Sequence, residues 1–165
     1  MSKKQCMSQL SYHVVTNFNT PYADQIADIM IREWGYNYIY GFGFASIAEY
    51  KLWKDDSIFV IATENARSTK VIGMIAFERY NMAGNSRFTP CICCLYVDPD
   101  FRNQGIGEAL LINMQAILTS SGYREAYAWV LNTDIGFWFE LRGWRYVTEY
   151  IYLDRRVLIM RCDFF

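Results

Sequence analysis

The residues best suited to chemistry in this chain form one short segment, Arg102-Asn-Gln-Gly105-Ile-Gly107, between a β-rich run and an amphipathic helical pattern. A helix start leaves backbone N–H groups without partners, and the positive end of the helix dipole lies at the same place. The two glycines lack a Cβ, so a ligand can approach the backbone closely. The segment therefore predicts a site for an anion such as a diphosphate.

Two other phosphate-binding loops do not fit this segment. A P-loop needs Lys and then Ser or Thr after its last glycine, but Gly107 is followed by Glu108 and Ala109. A dinucleotide-binding loop needs a small residue three positions after its second glycine, where this chain has Leu110. Hydrolysis of nucleoside triphosphates and dinucleotide binding are therefore disfavoured.

The segment and its flanks resemble the GNAT acyltransferase superfamily, in which the pattern Arg/Gln-x-x-Gly-x-Gly/Ala binds the pyrophosphate of acetyl-coenzyme A. The run from Leu95 to Leu111 is similar to that family's fourth strand, connecting loop and following helix. The run from Phe137 to Trp144 is similar to its Phe-Tyr-Glu-Lys-x-Gly-Phe segment. The resemblance implies an acetyl-coenzyme A-dependent N-acetyltransferase that acts on a primary amine by direct attack in a ternary complex.

The resemblance also implies a donor site. In the family, the fourth and fifth strands splay apart and the pantetheine arm enters the space between them. By this likeness the backbone of Leu95, Tyr96 and Val97 binds the arm, and amides near Leu95 and Tyr96 polarise the thioester carbonyl. The diphosphate is expected on the loop and helix start: Arg102, Asn103, Gln104, Gly105, Ile106, Gly107 and Glu108. Phe139 and Asn132 complete the expected coenzyme contacts, although a helix N-cap explains Asn132 better.

The chain departs from the family pattern at the usual proton donor. The tyrosine that protonates the leaving thiolate in the family corresponds to Phe139, which has no proton to give. The alternative donors lie on the strands expected to flank the thioester: Tyr96, Tyr127 and Cys94. Glu78 is an alternative base, although a solvated strand end is the favoured interpretation. A binding module that has lost the chemistry, and an enzyme for longer acyl groups, stay open as alternatives.

An aromatic, glycine-containing stretch at residues 34–44 is the most unusual composition in the chain. In the resembling family, the segment between the first two helices helps to form the acceptor site. Trp34, Tyr36 and Tyr38 are therefore expected to contact the amine by stacking and cation–π contacts, and a small molecule is favoured over a protein. A core lid or a self-association patch, as in a homodimer, explains this composition equally well.

Composition limits the remaining possibilities. Charged residues are 20% of the chain and the formal net charge is −1, so no overall basic field favours nucleic acid or an anionic membrane. The sequence has no apolar signal core and no run long enough for a membrane span. Five cysteines, three of them close together, indicate thiols in a reducing compartment, for which the cytoplasm fits best.

Two groups of potential ligands are expected to be structural. Alternation along a strand predicts that Cys91 and Cys93 point to one side and Cys94 to the other, which is a poor arrangement for a metal. His13, the single histidine, has no ligand or nucleophile near it in the pattern and is expected at a structural or surface position. No metal is expected.

The order of predicted elements gives an α/β fold in one domain over residues 10–165, after a flexible terminus at 1–9. Strands are predicted at 10–16, 57–63, 70–80, 91–97, 125–131, 145–153 and 156–162. Helices are predicted at about 21–34, 45–54, 106–120 and 133–142, and Gly122 is the expected residue just past the third. With the family resemblance, this order implies a mixed, mostly antiparallel sheet of six to seven strands, flanked by about four helices and splayed between strands four and five.

Overall fold

The computed structural model describes residues 10–17, 19–34, 57–79, 86–152 and 154–165. Seven strands in these ranges form one sheet: β1 (Ser11–Val15), β2 (Ile58–Thr63), β3 (Val71–Glu78), β4 (Cys91–Val97), β5 (Glu125–Val130), β6 (Arg145–Tyr152) and β7 (Arg155–Asp163). Three α-helices accompany them: α1 (Ala23–Trp34), α2 (Ile106–Ser120) and α3 (Thr133–Glu140). The sheet order is β1-β2-β3-β4-β5-β7-β6, as in a mixed α/β domain.

Every pair of neighbouring strands is antiparallel except β4 and β5, which are parallel. These two strands pair at only two positions, Cys91 with Tyr127 and Ile92 with Ala128. Past these positions the ladder between β4 and β5 ends, although both strands continue. The prediction of a mixed sheet that opens between its fourth and fifth strands is confirmed.

Helices cover both faces of the sheet. On one face, α2 and α3 contribute apolar side chains such as Leu110, Met114 and Phe139 to the larger core cluster. On the other face, α1 packs through Ile26 and Met30. The apolar residues recur at helical spacing and so form one stripe on each helix. Burial of this stripe against the sheet stabilises the helix.

A close contact fixes α2 against β3. A Cβ built on Gly73 would lie 3.1 Å from Leu110 Cδ1 and 3.2 Å from Ile106 Cγ2, so a larger residue there would force these side chains of α2 to shift. The N-terminus of α2 is thereby held near the end of β4.

The C-terminus of α2 has the geometry of a Schellman motif. Gly122 has a φ of +86° and donates to Thr119 O, and Tyr123 N donates to Leu118 O at 3.0 Å. The prediction that Gly122 follows the helix end is confirmed. None of the helices in the described ranges has the length and apolar character needed to cross a bilayer.

In the described ranges, the strand and helix predictions agree with the structure within two residues at every end. The predicted flexible terminus at 1–9, most of the aromatic stretch and the helix predicted at 45–54 lie outside the described residues.

Candidate active site

The predicted anion site is a loop and helix start that follow β4, residues 102–108, which we call the cradle. Asn103 and Gly105 both have positive φ, 59° and 79°, and together they turn the chain into α2. The first hydrogen bond of the helix runs from Ala109 N to Gly105 O at 3.0 Å. The amides of the three residues before Ala109 therefore have no carbonyl one turn earlier to bond, and successive N–H groups in such a turn form a concave anion site.

A cavity of about 590 Å³ lies over the cradle. Its lining includes six of the seven residues predicted to bind the diphosphate: Arg102, Asn103, Gly105, Ile106, Gly107 and Glu108. Gln104 is not among the lining residues, and its Nε2 donates to Asp100 O at 3.5 Å. Arg102 Nε donates to Val97 O at 2.9 Å, which holds the guanidinium at the junction between β4 and the loop.

Arg142 is a second cation at the cradle, and the sequence analysis did not identify it. Its guanidinium lies 3.8 Å from the centroid of the Trp138 ring, and Nη1 donates to Trp138 O at 2.9 Å. Nη2 pairs with Glu108 Oε2 at 3.2 Å. The only signal in the sequence was its positive charge, two residues before Trp144. Arg142 lies beyond the end of α3, and no local sequence pattern links that position to the cradle.

β4 contains a β-bulge where it leaves β5. Ala76 of β3 pairs with Cys93 and Met74 pairs with Tyr96, so one residue of β3 opposes two residues of β4. Cys94 has a φ of +56° at this point. Cys93 and Cys94 consequently both pack against the α1-side cluster, and the prediction that they point to opposite sides is wrong because the bulge adds one residue.

A second cavity, of about 420 Å³, occupies the space where β4 and β5 separate, which we call the gap. The lining is mostly apolar and comes from four elements and the segment after β5: Trp34, Cys91, Ile92, Cys93, Cys94, Leu95, Ala128, Trp129, Val130, Leu131, Asp134, Ile135, Trp138 and Phe139. Leu95 and Trp138 line both cavities, so the gap adjoins the cradle. Trp34, predicted for the acceptor site, is at the gap, while Tyr36 and Tyr38 lie outside the described residues.

Phe139 stands in the gap where the family pattern has its tyrosine. Its side chain is only 4% exposed, and its ring makes edge contacts with Trp138 and Trp144, each at 5.1 Å between centroids. The aromatic ring is thus part of the core as well as part of the gap lining.

The titratable side chains among the described lining residues of the gap are three thiols and one carboxylate. Cys91, Cys93 and Cys94 come from β4, and Asp134 comes from the first turn of α3. The sequence analysis did not identify Asp134. The sequence does contain a signal for Asp134, because it closely follows the N-cap Asn132. A helix that follows β5 must start near the C-terminal end of that strand, where β5 has separated from β4.

The two tyrosines considered as proton donors lie elsewhere. Tyr96 OH accepts from Arg32 Nη2 at 3.2 Å on the α1 side of the sheet, and burial raises the pKa of this phenol. Tyr127 packs against Phe88, and its pKa is raised first by burial and then by the nearby Glu125 carboxylate. Neither side chain belongs to the described lining of the gap.

Three other predicted residues have clear structural surroundings. Asn132 Oδ1 accepts from Ile135 N at 2.8 Å, so the interpretation of Asn132 as a helix cap is confirmed. His13 Nε2 and Thr63 Oγ1 share a hydrogen bond of 3.1 Å, consistent with a structural role. Glu78 is 5% exposed, so the favoured interpretation of a solvated strand end is wrong, because this last residue of β3 is still paired with Cys91 of β4 inside the sheet. In the described part of the chain, no group of three or more His, Cys, Asp or Glu is placed to hold a metal.

Solved structures with this fold include acetyltransferases. A mutant form of the spermidine N-acetyltransferase SpeG from Vibrio cholerae matches with a TM-score of 0.69 at 14% identity, over 94% of each chain. A chain of the NatC complex bound to Gag peptide and CoA matches with a TM-score of 0.69 at 15% identity, over 95% of this chain and 99% of that one. At such identities the likeness establishes the fold alone.

The sequence itself gives the family assignment. No curated protein matches the chain. The profile of the acetyltransferase (GNAT) family matches residues 23–143, which include the cradle, the gap and α3. The chain therefore belongs to the acetyltransferase (GNAT) family and is an acyltransferase.

Proposed function

We propose that the protein transfers an acetyl group from acetyl-coenzyme A to the primary amine of a small molecule, with residues 10–165 as one catalytic domain. The observation that carries this proposal is the junction of two different cavities at Leu95 and Trp138. One cavity has unpaired helix-start amides that suit a diphosphate, and the other has a mostly apolar lining. The proposed donor has parts that match these cavities in the same order. Its diphosphate suits the first cavity, and its long arm, which ends in a thioester, suits the second.

The length of β4 supports the same orientation of the donor. Between phosphorus and sulfur the coenzyme arm has about thirteen bonds, which equals roughly four residues of extended chain, or about 14 Å. From Val97, beside the cradle, back to Cys93, β4 spans the length of three residues of β3, or about 10 Å, because the bulge takes up one residue. An arm attached to a diphosphate on the cradle is therefore long enough to carry the thioester past Leu95 into the gap.

The cradle supplies the groups that fit the phosphates. The amides of Ile106, Gly107 and Glu108 donate from the positive end of α2, and Arg102 and Arg142 add two guanidinium groups. Glu108 opposes this charge and is already paired with Arg142. Helix-start amides and arginines together are a common solution for a diphosphate, so the lining fits the donor.

In the gap, the nitrogen of the neutral amine attacks the thioester carbonyl carbon. A C–N bond forms, the C–S bond breaks, the nitrogen loses a proton and the coenzyme thiolate takes one up. The bulge leaves one residue of β4 outside the ladder with β3, which supports polarisation of the carbonyl by the backbone near Leu95 and Tyr96.

Alignment of the two substrates provides most of the expected acceleration. A positioned acid contributes roughly 10² to 10⁴ in rate, whereas well-oriented reactants have effective molarities on the order of 10⁵ M or more. The coenzyme thiol, with a pKa of about 8.5, is a fair leaving group without an acid. The phenylalanine at position 139 thus slows an acetyltransferase of this design without abolishing its activity.

The acceptor is proposed to be a cationic or partly apolar amine. Trp34 offers an aromatic face, and Asp134 offers a carboxylate at the edge of the same cavity. A polyamine such as spermidine, the substrate named for the similar Vibrio cholerae enzyme, combines charge with apolar methylene groups. The thiols of Cys91, Cys93, Cys94 and Cys162 support a reducing compartment such as the cytoplasm.

A coenzyme A release assay over a panel of primary amines tests the proposal. Spermidine, shorter diamines, aromatic amines and a peptide N-terminus should each be offered with acetyl-coenzyme A and then with longer acyl donors. We expect release above the hydrolysis rate with at least one small amine, and a product heavier by one acetyl group. Coenzyme binding by calorimetry together with no release for any amine would contradict the proposal and favour a binding module.

A further inference from the structure

The gap has two ends with different surroundings. One end adjoins the cradle, where Leu95 and Trp138 line both cavities. The other end lies where β4 and β5 are still paired, and we call it the closed end. Both strands contribute to its lining, which consists of Cys91, Ile92, Cys93, Ala128 and Trp129. A donor that enters from the cradle therefore meets the closed end last.

The closed end combines small and apolar side chains. Cys91, Cys93 and Ala128 are small, and cysteine packs as a small apolar residue. None of the five residues has a carboxylate, an amine, a guanidinium or a hydroxyl group. Phe139, which also lines the gap, has an apolar ring where the family pattern has a phenol. This lining suits an uncharged hydrocarbon group better than a polar one.

The closed end extends well past the proposed position of the thioester carbonyl, at the backbone near Leu95 and Tyr96. Tyr96 pairs with Met74 and Cys91 pairs with Glu78, so β4 spans four residues of β3 between them, or about 13 Å. Measured from Leu95, one residue nearer, the lining continues for about 10 Å. An acetyl group extends by one bond, about 1.5 Å, past its carbonyl carbon. Acetyl therefore uses a small part of this length.

A longer acyl chain matches the length of the closed end. Three bonds of extended chain cover about 3.3 to 3.6 Å, the length of one residue. The five carbon–carbon bonds of a hexanoyl group therefore extend about 6 Å past the carbonyl carbon, which is within the available length. Each methylene group that moves from water to an apolar lining should strengthen binding by about fourfold.

We propose that the closed end is an acyl pocket, and that the enzyme also transfers straight acyl chains of four to six carbons to its amine. This rests on the proposed function, because the cradle must first position the donor. The bond changes are those of acetyl transfer. The amine nitrogen forms a C–N bond with the carbonyl carbon, the C–S bond breaks, and the coenzyme thiolate takes up the proton that the nitrogen loses. The chain past the carbonyl contributes binding and takes no part in the bond changes.

The test is calorimetry of the full-length protein with acetyl-, butyryl- and hexanoyl-coenzyme A, without amine. We expect butyryl-coenzyme A to bind about 10-fold more tightly than acetyl-coenzyme A, and hexanoyl-coenzyme A to bind more tightly again. The heat-capacity change on binding should become more negative with chain length, because more apolar surface is buried. Affinities that stay within twofold of one another, or that fall with chain length, would overturn the acyl pocket.

Two substitutions locate the chain, and a third is their control. Cys93→Leu and Ala128→Val add bulk on the two strands of the closed end, so each should lower the ratio of hexanoyl to acetyl affinity by about 10-fold. Cys162→Leu should leave this ratio unchanged, because Cys162 is a half-buried residue of β7 that lines neither cavity. An unchanged ratio in both folded variants of the closed end would overturn the proposal. If neither variant folds, the chain-length series with the unmodified protein still decides.

An amine transfer assay separates failure of this proposal from failure of the proposed function. With an amine that accepts acetyl, butyryl and hexanoyl donors should give products heavier by the corresponding acyl group. Transfer of acetyl together with affinities that do not depend on chain length would overturn the acyl pocket and leave the acetyltransferase proposal intact. Absence of binding for coenzyme A and for all three thioesters would overturn both.

Discussion

The cradle and the gap offer opposite kinds of groups to the two ends of the same proposed donor. The cradle presents backbone groups: its amides are set by two residues with positive φ and by the start of α2. The gap presents side chains, most of them apolar, that come from α1, β4, β5 and α3. The cradle therefore depends on one continuous piece of chain, and the gap depends on how several elements pack.

This difference explains where the chain keeps to its family and where it departs from it. A backbone site tolerates many side chains, provided that glycine stands where φ is positive or space is short. In a site made of side chains, one substitution can change the chemistry. Phe139 is an example, because it stands where the family pattern has a tyrosine. We therefore expect substitutions in the gap to change kcat and substitutions in the cradle to change KM for the donor.

The largest effect is expected for Phe139→Tyr, which restores a hydroxyl to the gap. A positioned acid is worth roughly 10² to 10⁴ in rate, so kcat should rise by about 100-fold. The buried hydroxyl should also lower the melting temperature, because an unpaired hydroxyl costs about 1 to 3 kcal/mol to bury. Steady-state kinetics with the best amine and a thermal melt measure the two effects.

Phe137→Tyr is the matched control for this prediction. Phe137 is on the same helix but is 59% exposed and does not line the gap, so its hydroxyl should change neither kcat nor stability. An unchanged kcat in a well-folded Phe139→Tyr protein would mean that the proton reaches the thiolate by another route.

The cradle is tested by a pair of glycine substitutions. Gly105 has a φ of +79°, where a Cβ costs about 1 to 2 kcal/mol, so Gly105→Ala should displace the loop and raise KM for acetyl-coenzyme A by about 10-fold. Gly107 is helical, and a Cβ there would lie 3.7 Å from Val97 Cγ2, an ordinary contact. Gly107→Ala should leave KM within about twofold and raise the melting temperature slightly, because Ala is favoured over Gly in helices by about 1 kcal/mol.

Comparison of Gly105→Ala with Gly107→Ala shows whether a rise in KM comes from the altered backbone turn or from steric contact of the added methyl group with the donor. Equal increases in KM for both variants would show that the added methyl group, rather than the left-handed turn, weakens the donor. The kcat at saturating donor should be close to unchanged in both, since neither glycine lines the gap.

Local features of the fold could be predicted from the sequence because the residues that cause them are neighbours in the chain. The start of α2 at Ile106, its Schellman end at Gly122 and the cap at Asn132 each depend on residues within one turn. The mixed sheet followed from the order of elements. These features include the loop and helix start of the cradle, whereas Gln104 does not line its cavity and Arg142 was not predicted.

The gap could not be predicted in the same way. The direction of Cys94 depends on a bulge that the pairing with β3 imposes, and strict alternation gave the wrong side. Asp134 and Arg142 reach the site only because α3 packs beside β5 and α2. The burial of Glu78 likewise depends on the pairing of the end of β3 with Cys91 of β4. Each of these positions is determined by contacts between segments distant in sequence.

Arg142 tests whether side chains also contribute at the cradle. Arg142→Ala removes a guanidinium stacked on Trp138 and should raise KM for acetyl-coenzyme A by about fivefold, which corresponds to roughly 1 kcal/mol. Glu108→Gln should have the opposite sign and lower KM by about twofold, because it removes a negative charge that pairs with Arg142. Steady-state kinetics at varied acetyl-coenzyme A measures both changes in KM, and titration with coenzyme A measures the accompanying change in affinity. A lower affinity for Glu108→Gln would show that the pair, rather than the cation alone, shapes the cradle.

The smallest effect on turnover is expected for Tyr96→Phe, although this tyrosine is on β4 between two residues of the donor path. Its hydroxyl bonds to Arg32 on the α1 side, and burial raises the pKa of the phenol above its ordinary value of about 10, so it stays protonated at neutral pH. We therefore expect kcat to remain within about twofold and the pH–rate profile not to move, while loss of the hydrogen bond should destabilise the fold by at most about 1 kcal/mol. A fall in kcat of more than about tenfold, without a matching loss of stability, would show that the phenol reaches the leaving thiolate. The general acid would then lie on the face of the sheet that α1 covers, and side chains of the gap would not determine how the leaving thiolate is protonated.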